Sequence, residues 1–151
     1  MQARLDMPEF IKSAPAVYEA LVLISKSAVE AGLEKDLLEL VKTRASQINT
    51  CAFCLQFHIN LARKNGVTQA KLDQVAAWRE SQLFSQRERA ALAWTESLTT
   101  LNADSANDTL FDGLKAHFPD AQWSALTTAI GLINLWNRLG VAMRYTPPAS
   151  V

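Results

Sequence analysis

The chain is poor in the residues that punctuate a β-rich fold. It has five glycines and five prolines among 151 residues, and two of the glycines, Gly32 and Gly66, fall where helices should stop. The alternation of apolar and polar residues that marks a half-buried strand is absent. Excess charge is missing too: fifteen Lys and Arg balance fifteen Asp and Glu. Without a basic stripe there is no electrostatic reason to bind nucleic acid or an anionic membrane. A net charge near zero also does little to resist self-association. No apolar run reaches membrane-spanning length. The opening stretch MQARLDMPEF carries charges and a proline where a secretory signal needs an apolar run. The expectation is a soluble cytoplasmic protein, in a compartment that keeps thiols reduced.

Cysteine and histidine are rarer still, two of each. A chain of this length can bury a core without disulfides or metal. Two close cysteines in a reducing compartment therefore suggest redox or metal chemistry more than a structural staple.

What is abundant is helix-forming sequence. A short turn at Pro8–Lys12 precedes a helix from about Pro15 to a stop at Gly32, and Glu34–Ile48 follows with Leu37, Leu38, Val41, Ala45 and Ile48 as its apolar stripe. Asn49 or Thr50 is a plausible N-cap for a helix reaching Asn65, with Gly66 beyond it. Thr68 caps a helix to about Trp78, and Ser85 with Glu88 forms a capping box for the next. Ser105 or Asn107 opens a helix ending near His117, and Pro119 leads into a long one, about Ala121 to Tyr145. The fold class is all-α: about seven helices in one domain, residues 1–151.

The last helix is apolar on most of its circumference. Trp123, Leu126, Ile130, Ile133 and Val141 share one face, while Leu132, Leu135, Trp136, Leu139 and Met143 lie largely on others. Such a helix is covered on more than one side. In a domain this small the second cover can be another subunit, so a homo-oligomer is expected.

Both cysteines and one histidine fall in the stretch NTCAFCLQFH. Cys51 and Cys54, at i and i+3, share a helix face, and His58 lies one turn further along it. Leu55, Leu61 and Ala62 extend that face, so the three groups belong to the core-facing stripe. The first turn of a helix, with its free N–H groups and positive dipole end, stabilises a thiolate. A free thiol titrates near ~8.5, and an adjacent imidazole lowers that value. A second thiol one turn away can attack an oxidised sulfur and close a disulfide.

Simpler readings compete with this one. Buried cysteines often serve as small apolar residues, and a histidine on an apolar face is commonly a satisfied core residue. Two cysteines and a histidine are also three zinc ligands of the right type, with Glu39 or water as a fourth. Yet there is no second Cys-x-x-Cys or His pair, and His117 reads as an exposed residue near a helix end. A thioredoxin-like fold needs strands between its helices, and none is indicated.

The segment ELVKTRASQINTCAFCLQFHINLARKNG resembles the alkyl hydroperoxidase D / carboxymuconolactone decarboxylase-like family. The redox-active branch carries a Glu, eleven residues, then Cys-x-x-Cys-x-x-x-His, matched here by Glu39, Cys51, Cys54 and His58. The resemblance extends through VAAWRESQLFSQRERAALAWTESLT and GLINLWNRLGVAMRY, from about Leu33 to Tyr145. It implies an all-α fold, a trimer or hexamer, and antioxidant peroxidase activity of the alkyl hydroperoxide reductase type, without metal or cofactor. By this analogy Cys54 attacks the peroxide and becomes a sulfenic acid, Cys51 resolves it as a disulfide, and His58 and Glu39 relay protons. A dithiol reductant, such as a lipoyl-bearing or thioredoxin-like protein, resets the pair. Some members carry a histidine just before the second cysteine, where this chain has Phe53. Carboxymuconolactone decarboxylases proper generally lack the cysteine pair, which argues against lactone decarboxylation here.

Two readings disagree over Glu39. Periodicity sets it opposite Leu37, Val41 and Ile48, on a solvated face with Thr43 and Ser46 and within reach of Lys35 and Lys42. The resemblance turns it toward the cysteines, where burial would raise its pKa. Dipole logic favours Cys51 as the more acidic thiol, whereas His58 and the resemblance favour Cys54. Arg44, Gln47, Asn134, Asn137 and Arg138 are polar residues in or beside apolar stripes, most simply satisfying buried backbone or subunit contacts. Trp78, Trp94, Trp123 and Trp136 read as core or interface bulk, or as walls of an apolar channel. Two rival functions stand beside the peroxidase: a redox-sensing or disulfide-exchange module, and a zinc-binding scaffold.

Overall fold

Local signals set most of the helix boundaries. The computed structural model describes residues 2–151, which form α1 (Met7–Ser13), α2 (Pro15–Glu30), α3 (Lys35–Ile48), α4 (Ala52–Lys64), α5 (Gln69–Gln74), α6 (Gln86–Thr99), α7 (Asp108–Lys115) and α8 (Asp120–Met143). A 3-10 turn, Val75–Ala77, extends α5, and there is no strand among the described residues. Ser85 and Glu88 make the expected capping box of α6, while Thr68 and Asn107 cap α5 and α7 through their side chains. Gly32 and Gly66 take positive φ, 86° and 90°, just past α2 and α4. The predicted turn at Pro8–Lys12 is a full α-helix, which makes eight α-helices among the described residues.

The core is organised around α3, which packs against α4, α6 and α8. Leu37, Leu38 and Val41 enter one apolar cluster with Trp94, Phe118, Leu126 and Ile130. Leu40 enters another with Ala62, Val75, Trp78 and Leu92. Each such side chain contributes roughly 1.5–3 kcal/mol when fully buried. Because α3 is wrapped on all sides, the face read as solvated is also inside: Glu39 is 5% exposed, and Thr43 and Ser46 are fully buried. The periodicity reading of Glu39 is therefore wrong. A helix at the centre of a bundle buries its polar stripe along with its apolar ones.

α8 is covered by α2, α3, α4 and α6 of the same chain. Leu126, Ile130, Leu132 and Ile133 are buried, but Leu135 and Val141 are exposed, although Val141 shares a face with Leu126, Ile130 and Ile133. The helix also stops earlier than expected. Arg144 turns left-handed at φ 58°, and the Tyr145 N–H returns to the Gly140 carbonyl at 3.1 Å. That reversal folds Tyr145 back into the interior.

Polar residues tie the end of α3 to α8. Asn49 Nδ2 donates to Asn134 Oδ1 and Asn137 Oδ1, both at 2.9 Å, and Asn137 Nδ2 donates to Ser46 Oγ at 3.0 Å. Arg138 donates to the Asn134 carbonyl, and Arg44 bonds Gln47 and Glu96. Each of the five secondary candidates thus has a polar partner within the chain. They also fix the α3–α4 turn from which the cysteines project. No described helix is long and apolar enough to cross a membrane.

Candidate active site

The site begins at the turn between α3 and α4. α3 unwinds through Thr50, which is left-handed at φ 54°, an unusual place for a β-branched residue. The Thr50 and Cys51 N–H groups return to the Gln47 and Ser46 carbonyls. The chain becomes extended only at Cys51, so the N-cap of α4 is Cys51 itself, and not Asn49 or Thr50 as the sequence suggested. Cys51 Sγ accepts the Cys54 N–H at 3.3 Å. A sulfur thus fills the capping role usually taken by a side-chain oxygen.

Cys51 and Cys54 are joined as a disulfide, with Cα atoms 5.4 Å apart, and are 2% and 4% exposed. They sit in a small cluster with Ala45 and Ile133, flanked by Phe53 and Trp136. Gly140 of α8 faces them. A Cβ there would stand 2.7 Å from Cys51 Sγ and 3.2 Å from Cys54 Sγ, so only glycine lets α8 approach this closely. Sequence reading missed Gly140; the available signal was a glycine inside an otherwise strong helix.

His58 follows one turn after Cys54 on the same buried face. Its Nδ1 lies 2.6 Å from Glu39 Oε2, and Lys42 Nζ lies 2.8 Å from Glu39 Oε1. Burial alone would push the Glu39 carboxyl up, but His58 and Lys42 outweigh it and hold the group below its ordinary value. The expectation of a raised value is thus overturned, because the buried carboxylate has two partners. Burial pushes His58 down, and Glu39 only partly opposes this. The consistent arrangement is an ionised Glu39 accepting Nδ1–H from a neutral imidazole, which leaves Nε2 as the basic nitrogen.

A cavity of about 450 Å3 opens beside this pair, lined by Cys54, His58 and Glu39 but not by Cys51. α2 and α8 supply much of its apolar wall, including Leu21, Val22, Leu132 and Trp136. Of the four tryptophans only Trp136 lines it; Trp78 and Trp94 belong to the core clusters. Phe53, between the two cysteines, stacks on Phe57 at 5.9 Å and meets Tyr145 edge-on at 5.3 Å. That part of the wall is therefore aromatic where an imidazole would be polar. Tyr145, also missed from sequence, lines the cavity, and its buried hydroxyl has no hydrogen-bond partner among the described residues. Burial pushes its phenol up.

The sulfurs are bonded to each other, and no three of His, Cys, Asp and Glu among the described residues are grouped to hold a metal ion. His117 is exposed, as its position implied.

Known proteins share this sequence and fold. The carboxymuconolactone decarboxylase family profile matches residues 15–97. The uncharacterised protein YdfG of Bacillus subtilis strain 168 is 32% identical over 134 residues, which span 89% of this chain and 91% of that protein. The crystal structure of an Agrobacterium tumefaciens protein of unknown function, assigned provisionally to AhpD-type antioxidant defence, superposes with a TM-score of 0.89 at 34% identity, covering 99% of this chain and 100% of that one. The debrominase Bmp8 shares the fold at 20% identity, with a TM-score of 0.79 over 92% of this chain and 75% of its own. With the profile spanning more than half of the sequence and YdfG aligned over nearly all of it, the chain belongs to the carboxymuconolactone decarboxylase family, in its AhpD-like group.

Proposed function

We propose that the protein is a thiol peroxidase that reduces organic hydroperoxides. One observation carries the reading: Cys54, alone of the two cysteines, lines the cavity, and it does so beside His58 and Glu39. In the dithiol form, His58 Nε2 takes the proton of the Cys54 thiol. The thiolate attacks the distal peroxide oxygen, the O–O bond breaks, and the alkoxide takes a proton to leave as the alcohol. Cys54 is now a sulfenic acid. The Cys51 thiol attacks it, water leaves, and the disulfide forms. Glu39 holds the imidazole in the tautomer that makes Nε2 the base. A dithiol reductant, of the lipoyl-bearing or thioredoxin-like kind, returns two electrons and two protons.

The helix cap gives Cys51 the better electrostatic position for a thiolate, and the cavity gives Cys54 the access. Access decides the attacking sulfur, because a peroxide must reach it. Burial of both sulfurs leaves the cavity as the route by which both the peroxide and the reductant reach Cys54. The decarboxylation for which the family is named has no use for a dithiol and is not proposed. Exposed Leu135 and Val141 on α8, with Val17, Leu23 and Ile24 on α2, support self-association.

The test is stoichiometric. Reduced protein treated with cumene hydroperoxide should lose both thiols, form one internal disulfide and release one equivalent of alcohol. Cys54→Ser should abolish peroxide consumption, while Cys51→Ser should accumulate a sulfenic acid that dimedone traps. Full activity in Cys54→Ser would overturn the assignment.

A further inference from the structure

The cavity has an uneven charge. Its walls are chiefly apolar, yet three lysines line it: Lys26 from α2, and Lys35 and Lys42 from α3. Its only carboxylate is Glu39, which is already engaged by Lys42 and His58. Lys26 and Lys35 form no ion pair within 4.0 Å among the described residues. Neither Glu30, one turn beyond Lys26, nor Asp36, beside Lys35, reaches the cavity lining.

Lys35 is also badly placed for its own helix. It is the first residue of α3, where the free backbone N–H groups already make the potential positive. A cation there works against helix stability. The adjacent Glu34 is paired with Arg87, and Asp36 in the same turn spends one carboxylate oxygen on the Leu37 N–H at 2.9 Å, so neither forms an ion pair with Lys35. The cavity lining thus carries two lysines that no carboxylate among the described residues pairs within 4.0 Å, while Asp36 answers the α3 N-terminus.

From this we propose that the cavity takes a single-chain apolar ligand ending in a carboxylate. The apolar part lies along Leu21, Val22, Leu132 and Trp136, and the carboxylate reaches Lys26 and Lys35. A volume of about 450 Å3 suits one small or drug-sized molecule. Joined to the peroxidase reading, on which this second step rests, the substrate is a carboxylate-bearing alkyl hydroperoxide, oriented with its anion at the lysines and its peroxide at Cys54.

Binding tests the first step without turnover. The oxidised protein is titrated calorimetrically with octanoate and with 1-octanol, which differ in the charged end. Octanoate should bind about ten-fold tighter, and added salt should narrow the gap. The double variant Lys26→Gln/Lys35→Gln should lose the preference and keep its affinity for octanol. Both lysines are exposed, so the fold should not depend on them. Equal affinity for the two probes, no octanoate binding, or a preference that survives in the double variant would each overturn the proposal. In the kinetic arm, reduced protein should consume a fatty-acid hydroperoxide faster than its methyl ester. If octanoate is preferred and no hydroperoxide is consumed, the peroxidase reading fails and the carboxylate site stands. If hydroperoxides are consumed without preference for acid over ester and octanoate binds no better than octanol, the site fails and the peroxidase reading stands.

Discussion

His58 and Glu39 meet across the interface of α3 and α4, Nδ1 to Oε2 at 2.6 Å, with both side chains buried and Lys42 on the far carboxylate oxygen. Nineteen positions separate them in the chain, and the α3–α4 turn through Thr50 brings them together. The pair fixes Nδ1 of the imidazole and leaves Nε2 free for the role proposed above.

The pH dependence follows from that pair. His58 is held below its ordinary value of about 6.5, so it stays neutral in the fold where an unfolded chain would already be protonated. Its contribution to stability is present above about pH 6.5 and is lost as the pH falls below it. Glu39, also held down, acts in the same direction in a lower window, below about 4.5. The melting temperature should therefore begin to fall as the pH drops below about 6.5. His58→Asn should remove that part of the fall, and an unchanged pH profile of melting in the variant would contradict the neutral buried imidazole.

Glu39→Gln tests the tautomer. The amide can present either end to Nδ1, and it removes the anion that stabilises a developing imidazolium. Thiolate formation at Cys54 should slow at least ~10-fold, within the range general-base catalysis supplies. The alkylation rate of Cys54 against pH, measured in the Cys51→Ser background, reads this directly. An unchanged profile would reduce Glu39 to a structural ion pair with Lys42.

Gly140→Ala should act on the sulfurs across α8. The added Cβ would lie 2.7 Å from Cys51 Sγ, closer than real contacts allow, and α8 must shift or the cysteine must move. Overpacking of this kind costs about 1–3 kcal/mol. If Cys51 resolves the sulfenic acid as proposed, disulfide closure should slow as well, and dimedone should trap more sulfenic acid than in the parent. A fall in melting temperature without that extra trapping would confine Gly140 to packing.

Tyr145→Phe should be neutral or stabilising by up to ~1 kcal/mol. The hydroxyl is buried without a partner, so its removal deletes an unmet hydrogen-bonding group while the ring contacts with Phe10 and Phe53 persist. Thermal unfolding of the oxidised protein measures it. Destabilisation beyond ~1 kcal/mol would show that the hydroxyl is solvated or bonded in solution.

Much of the local structure was legible. The capping box at Ser85 and Glu88, the stops at Gly32 and Gly66 and the shared face of Cys51, Cys54 and His58 all follow from short-range rules. The errors came where neighbouring elements overrode those rules. Thr50 was a reasonable cap, but the Asn49 contacts to α8 carry α3 one residue further into a left-handed turn, and Cys51 takes the cap.

Sequence was sufficient for the helices and for the spacing of the reactive groups, because backbone hydrogen bonding sets a helical period that any reader of residues i, i+3 and i+7 can apply. It could not place Glu39, since periodicity separates faces of a helix without saying how many of them are covered. α4, α6 and α8 close around α3, and that packing buries a polar stripe and sets one of its members, Glu39, in the wall of a cavity. The same holds for Gly140, Tyr145 and Lys26, which reach the site from helices or turns distant in sequence. Their roles come from close packing between elements, and no local pattern encodes it.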